Sequence, residues 1–269
     1  MRRLLVVFII LLSPQFLYAQ VNLNEKEKAI KIDFENLMNA DSDSLKLSLC
    51  NKIQQTFQKI LHEEESFAYP FAQLDKMGKL FSPDRTFRIY NWNCVLADGT
   101  YKYFGLIQRK QKEKINVEIL EDNELKTEME SIHKSEDWIG ALYYQIIPFK
   151  SKGQLAYLLL GWDGNNFITN KKIIEILSFT KDGKAQFGMP IISWRGKVLS
   201  RVVFEYAKQA RMSLQYHEKE KRIVFDHLAP SSPRYQNQFE YYGPDFSYDA
   251  LQYRKGKWEL VENIDVRNR

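Results

Sequence analysis

Carboxylates and aromatic rings crowd together towards the C-terminus. Phe225-Asp226-His227-Leu228 leads through a Pro/Ser loop to Phe239-Glu240-Tyr241-Tyr242-Gly243-Pro244-Asp245-Phe246-Ser247-Tyr248-Asp249. Glycan hydrolysis needs two carboxyl groups, one to protonate the leaving oxygen and one to act as base or nucleophile. Asp226, Glu240, Asp245 and Asp249 are enough to furnish that pair. His227 adds a group that titrates near neutrality, and Tyr242 and Tyr248 have ring faces on which a sugar could stack. The same string also reads as plain structure, because Tyr and Phe favour strands and Gly-Pro-Asp favours a turn. That reading is the stronger, so a carboxylate-dependent hydrolase is the alternative and not the leading expectation.

A second candidate is Leu158-Leu159-Leu160-Gly161-Trp162-Asp163-Gly164-Asn165-Asn166, an apolar run that breaks into a polar turn. It reads as a central buried strand delivering a compact loop, with Trp162, Asp163, Asn165 and Asn166 as ligand-binding candidates. Their oxygens would suit calcium, but the sixth and twelfth positions of a calcium loop would be Ile168 and Ile174 in place of Gly and Glu. Local hydrogen bonds from Asp and Asn are the expected source of order here.

Metal and cofactor chemistry find little else. His217 and His227 are close in sequence, yet if Met212–His217 pairs with Arg222–His227, residue 214 faces 225 and 216 faces 223. His217 then points to the face opposite His227, since strand side chains alternate. No metal site is expected. The chain holds no Gly-x-Ser-x-Gly, no His-Glu-x-x-His, no phosphate-cradling glycine loop and no Cys-x-x-Cys. No cofactor is expected either.

These residues must be held by a mainly β, α+β scaffold. The part from 20 to about 75 is helical. Ile30, Phe34, Leu37 and Met38 share one face, and Leu45, Leu49, Ile53, Phe57, Ile60 and Leu61 share another after the break at Asp41–Ser44. From residue 76 to 269, short runs of Tyr, Phe, Val and Ile alternate with turns, of which Asp98-Gly99 and Asp182-Gly183 are the clearest hairpin signals. Strands are expected at 87–93, 101–109, 115–120, 140–149, 155–161, 171–180, 185–192, 198–207, 212–217, 222–228, 239–242, 248–254 and 258–261, with a short helix at 124–132. Such hairpins give antiparallel sheets, closed like a propeller or stacked as a sandwich, in one domain with an N-terminal helical hairpin.

The address is written at the start. Arg2 and Arg3 precede an apolar run from Leu4 to Leu12, and Leu17-Tyr18-Ala19 ends in a small residue. This is the pattern of a secretory signal peptide over residues 1–19, cut after Ala19, with no membrane span afterwards. The net charge of +5 falls by two with that segment, and no concentrated basic patch suggests nucleic acid. Cys50 and Cys94 are the only cysteines. An oxidising exterior permits them to pair, but a chain of this length can bury an ample core without a bridge, and two buried thiols are expected.

Tyr101-Lys102-Tyr103-Phe104-Gly105, Leu160–Asn166, Arg201-Val202-Val203-Phe204-Glu205-Tyr206, Val224–Leu228 and Tyr242–Asp249 together resemble an uncharacterised family of exported Bacteroidota proteins. The resemblance implies a periplasmic or secreted location and carries no catalytic role. With 14% aromatic residues, the leading expectation is a non-catalytic binding or structural module of the envelope, with a glycan, a peptide or an envelope protein as ligand.

Overall fold

The computed structural model describes residues 14–112, 114–123 and 128–266, with side chains from residue 22 onward. Residues 1–13 of the expected leader lie outside the described residues. Helix α1 (Pro14–Met38) turns Leu23, Ile30, Phe34 and Leu37 inward, while Met38, expected on the same face, is exposed at its end. Helix α2 (Asp43–Leu61) starts at Ser42, whose hydroxyl accepts from the Leu45 N–H. That hydrogen bond satisfies one of the amides a helix start leaves open. Its Cys50, Ile53, Phe57, Ile60 and Leu61 are buried.

β1 (Gly78–Phe81), β2 (Phe87–Val95), β3 (Tyr101–Gln111) and β4 (Lys114–Glu121) form a first sheet in chain order. β5 (His133–Lys134), β6 (Leu142–Ser151), β7 (Gln154–Asp163), β8 (Thr169–Phe179) and β9 (Ala185–Phe187) form a central sheet ordered β5-β9-β8-β7-β6. β10 (Ile192–Trp194) and β11 (Lys197–Leu199) leave for an outer sheet, and β12 (Arg201–Ala207) returns to pair with β8. β13 (Leu214–His217), β14 (Arg222–Pro230), β15 (Tyr242–Arg254) and β16 (Lys257–Val261) complete the outer sheet, ordered β11-β10-β16-β15-β14-β13.

The layers stack as helices, first sheet, central sheet, outer sheet. Tyr90, Trp92, Leu106 and Val117 of the first sheet meet the helices. Phe87, Ile89, Ile107 and Leu120 point the other way, onto Tyr143, Tyr157, Leu159 and Leu177 of the central sheet. Leu158, Leu160, Ile174, Ile176 and Val202 leave its opposite face for Ile192, Leu214, Ile223, Phe225, Leu251 and Trp258. A sheet covered on both faces needs continuous apolar strands, which is why Leu158, Leu159 and Leu160 occur in succession, each fully buried. The protein is thus mainly β, with face-to-face sheets and an N-terminal helical pair, and among the described residues no sheet closes on itself.

Several expected elements differ. The strand expected over 185–192 is two strands in two sheets, because Gly188, at a φ of 97°, breaks the run and hands the chain to the outer layer. The strand expected over 198–207 divides in the same way at Ser200. β10 then lies parallel to β16, with Ile192 opposite Trp258, an exception to the antiparallel pattern. Phe239–Tyr241 is a tight turn of 3-10 helix closed by the Tyr241 N–H on the Gln238 carbonyl, and the strand starts only at Tyr242. The helix expected over 124–132 falls partly outside the described residues. Its end at 128–132 is an extended and turning segment whose Met129 carbonyl accepts from the Ser200 and Arg201 N–H groups. β1 went unanticipated.

Candidate functional site

The loop after β7 is ordered by its own side chains. Asp163 Oδ1 accepts from the Asn165 N–H at 2.7 Å and from the Tyr103 hydroxyl at 2.8 Å. Asn166 Oδ1 accepts from the N–H groups of Ile168 and Thr169, both at 2.9 Å. The Asn165 amide donates to Thr169 Oγ1 and Glu205 Oε1. Asp163 Oδ1 and Asn166 Oδ1, two of the oxygens that would have to hold calcium, are therefore engaged within the protein. Among the described residues, no group of three His, Cys, Asp or Glu is placed to hold a metal ion.

Trp162 stands just before this loop, at the end of β7. The indole packs edge-on to Tyr101, with ring centroids 5.7 Å apart, and forms one wall of a cleft of about 390 Å³ where β1 runs beside β6. Tyr143, Tyr144 and Leu142 line it from the central sheet, Met77, Gly78, Asn91 and Asn93 from the first, with Asp75 and Lys76 paired at the rim. Tyr144 owes its position to an irregularity in β6, which slips register between Tyr143 and Gln145. A bulge of this kind re-aims a side chain. Tyr144 is 39% exposed as a residue, carries the Lys172 ammonium 4.5 Å from its ring centroid and donates its hydroxyl to the Leu214 carbonyl. Burial holds Lys172 below the ordinary lysine value.

Asn91 is the unusual member of this cleft. It stands opposite Gly78 on one side and Gly105 on the other. Gly78 leaves the space its carboxamide occupies, since a Cβ there would fall 2.4 Å from Asn91 Oδ1, whereas Gly105 makes room for Leu120. The residue is 1% exposed, and among the described residues neither its oxygen nor its nitrogen has a hydrogen-bond partner. Burying a carboxamide without partners costs on the order of 1–3 kcal/mol per group. Beneath the cleft the polar groups are fully engaged. The Tyr143 hydroxyl accepts from the Trp138 indole N–H at 2.8 Å and donates to the Glu175 carboxylate, which also receives Arg201 Nε at 2.8 Å. Burial, then Glu175, pushes the Tyr143 hydroxyl far above the ordinary tyrosine value.

The C-terminal candidates are arranged differently. β14 and β15 lose register after the Asp226–Tyr248 pair and regain it at Leu228–Pro244, so His227 faces an excess of chain at Asp245–Ser247. This excess expels Phe246, 93% exposed at a φ of 70°. Asp226 accepts from the Ser213 N–H at 2.7 Å. Asp249, buried, accepts from His227 Nδ1 at 2.8 Å and from the Asn263 N–H at 2.9 Å. Asp245 closes a turn by accepting from the Ser247 N–H and hydroxyl. Burial pushes its carboxyl up, but those Ser247 bonds and nearby His227 outweigh it and hold the group below the ordinary carboxylate value. Glu240 sits in the turn at 239–241, and with Tyr241, Tyr242 and Asp245 lines a smaller hollow of about 370 Å³. Tyr242 accepts from the Asn237 N–H, and Tyr248 lies half-buried across from Asp226.

The structure thus brings His227 to Asp249 and Glu240 to the hollow of Asp245 and Tyr242, and it sets Trp162 in a separate cleft. Sequence reasoning missed Asn91 and Tyr144. The one available signal for Asn91 was a short polar side chain inside the buried run Phe87–Cys94, paired with a glycine-bearing strand. No family model, curated protein or solved structure matches the chain.

Proposed function

We propose that the protein is an exported, non-catalytic binding module of the cell envelope that takes a glycan in the cleft between β1 and β6. The observation that carries this reading is the unpartnered carboxamide of Asn91 in an aromatic cleft. Both carboxamide atoms are buried, so a ligand reaches them by displacing the cleft wall at Gly78. The carboxamide then offers a donor and an acceptor side by side, which suits two neighbouring hydroxyls. Trp162 and Tyr144 offer aromatic surface to the C–H faces of a sugar, and the Asp75–Lys76 pair leaves the rim without net charge. The cleft falls within the size range of small-molecule sites.

The hydrolase alternative has less support. It needs one carboxyl held protonated near neutrality. Asp245 is held ionised, and Asp226 and Asp249 are engaged by backbone N–H groups.

Indole fluorescence during titration with panels of soluble glycans and of peptides tests the proposal. A glycan should bind, and Trp162→Ala should weaken that binding by about two- to tenfold, an aromatic contact of this kind being worth on the order of 0.5–1.5 kcal/mol. Binding by no glycan, or by peptides alone, would sink it. Export rests on the leader pattern and on the likeness to exported Bacteroidota proteins. Protein recovered from the periplasm or medium should begin at Gln20, and recovery with Met1 intact would count against export.

A further inference from the structure

The two cysteines lie along one line of contact between α2 and the first sheet. Asp43, Lys46, Cys50 and Gln54 recur at helical spacing on the inner side of α2. Asp43 accepts from the Ala97 N–H at 3.0 Å and Lys46 Nζ donates to the Val95 carbonyl at 2.9 Å. One turn beyond Cys50, the Gln54 amide donates to the Gly105 carbonyl at 3.1 Å, and Gly105 is paired with Asn91. The contacts on either side of Cys50 therefore set it against the part of β2 that ends in Cys94-Val95. Both residues are buried in the same apolar cluster, and both carry free thiols.

We propose that Cys50 and Cys94 are a disulfide site, which closes when the chain folds in the presence of a thiol–disulfide oxidant and clamps α2 to the first sheet. Cys94 shares with Tyr90 and Trp92 the face of β2 that packs on the helices, so both side chains enter the same layer between α2 and the first sheet. Cys50 beside it, with Lys46 and Lys102 and against burial and Asp43, holds Cys94 below the ordinary thiol value, while Cys94 and burial push Cys50 up. Cys94, the less deeply buried of the two, is the attacking thiolate. It displaces one thiolate from the oxidant, such as glutathione disulfide, to give a mixed disulfide. Cys50 loses its proton and attacks the Cys94 sulfur, and the second glutathione thiolate leaves. Two protein thiols are oxidised by two electrons, and one glutathione disulfide becomes two glutathiones. With Cys50 fully buried and Cys94 only 6% exposed, the exchange belongs to folding or to local opening, and the finished bridge is shielded from reductant.

The whole chain refolded in a glutathione redox buffer should be two hydrogens lighter, with neither cysteine alkylated after denaturation. A peptide linking the two residues should appear in a nonreducing digest. Closing a loop of this length should raise Tm by roughly 5–10 °C over the reduced protein. The double variant Cys50→Ala/Cys94→Ala should fold and lose the dependence of Tm on dithiothreitol. Two alkylatable thiols after refolding with excess oxidant would overturn the proposal, as would a bridge that forms and lowers Tm.

Discussion

The inner cleft at β1 and β6 and the outer hollow at Glu240–Asp245 are close in size and both are lined by aromatic rings. They differ in what their polar groups are doing. In the outer segment Asp226, Asp245 and Asp249 each accept from backbone N–H groups, so the acids that look available in the sequence hold a bulged pair of strands in shape. In the inner cleft the charged groups Glu175 and Arg201 are hidden beneath the surface and paired, while a neutral carboxamide is left without partners. Richness in acids and rings marks where chemistry is conceivable. A buried polar group that folding leaves unsatisfied marks where a ligand would be gained, since only a ligand or water can recover its desolvation cost.

The largest expected effect comes from removing the support beneath the cleft. Glu175→Leu leaves Arg201 fully buried without a carboxylate and the Tyr143 hydroxyl without its acceptor. Breaking a buried pair by one partner costs about 3–5 kcal/mol, read as a lowered urea midpoint. The double variant Glu175→Leu/Arg201→Met should be less destabilised than the single one. Equal loss in both would mean that the pair matters through packing and not through charge.

A smaller and opposite effect is expected at Asn91. Asn91→Leu removes an unsatisfied carboxamide from a buried position, so it should stabilise the fold by about 1–3 kcal/mol. The same change should abolish the glycan response of Trp162. Gain of stability with loss of function is the signature of a group retained for binding. The matching change in the outer hollow, Glu240→Gln, should do neither, because Glu240 lies in a surface turn. If Asn91→Leu destabilises instead, the carboxamide is satisfied by a bound water and the contrast between the two regions narrows.

How much of this was legible follows from range. Period and turn chemistry are local, so the middle of each helix face and the Asp-Gly hairpins could be read directly, while Met38 and Leu45, expected on those faces, are exposed where α1 ends and α2 begins. The Leu158–Leu160 run announced a buried central strand, and the structure shows it covered on both faces. The pairing of 214 with 225 and 216 with 223 needed only one turn and matches the register found. Sheet exchange at Gly188 and Ser200 was illegible, because a strand pattern does not say which sheet its residues join. The same limit hid the cleft. Asn91, Tyr144 and Trp162 come from three strands that meet only when the first and central sheets stack, and Tyr144 is turned there by a slip of register that no local signal encodes.

The smallest effect separates charge from shape in the outer segment. Asp245→Asn keeps the Oδ1 acceptor for the Ser247 N–H and hydroxyl and removes only the negative charge. Burial works against that charge, but Ser247 and His227 outweigh it, and the folded group sits below its ordinary value. A carboxyl whose folded value is depressed contributes stability above its unfolded value, near about pH 4, and loses it as pH falls through the folded value. The Tm advantage of the native chain over Asp245→Asn should therefore be level from about pH 7 to about pH 5. It should shrink to nothing as pH falls below about 4, where the native carboxyl becomes neutral as well. An advantage that survives in acid would mean that the turn depends on carboxylate shape and not on charge. No advantage at neutrality would mean that solvent screens the exposed group completely, leaving the outer segment held by its backbone bonds alone.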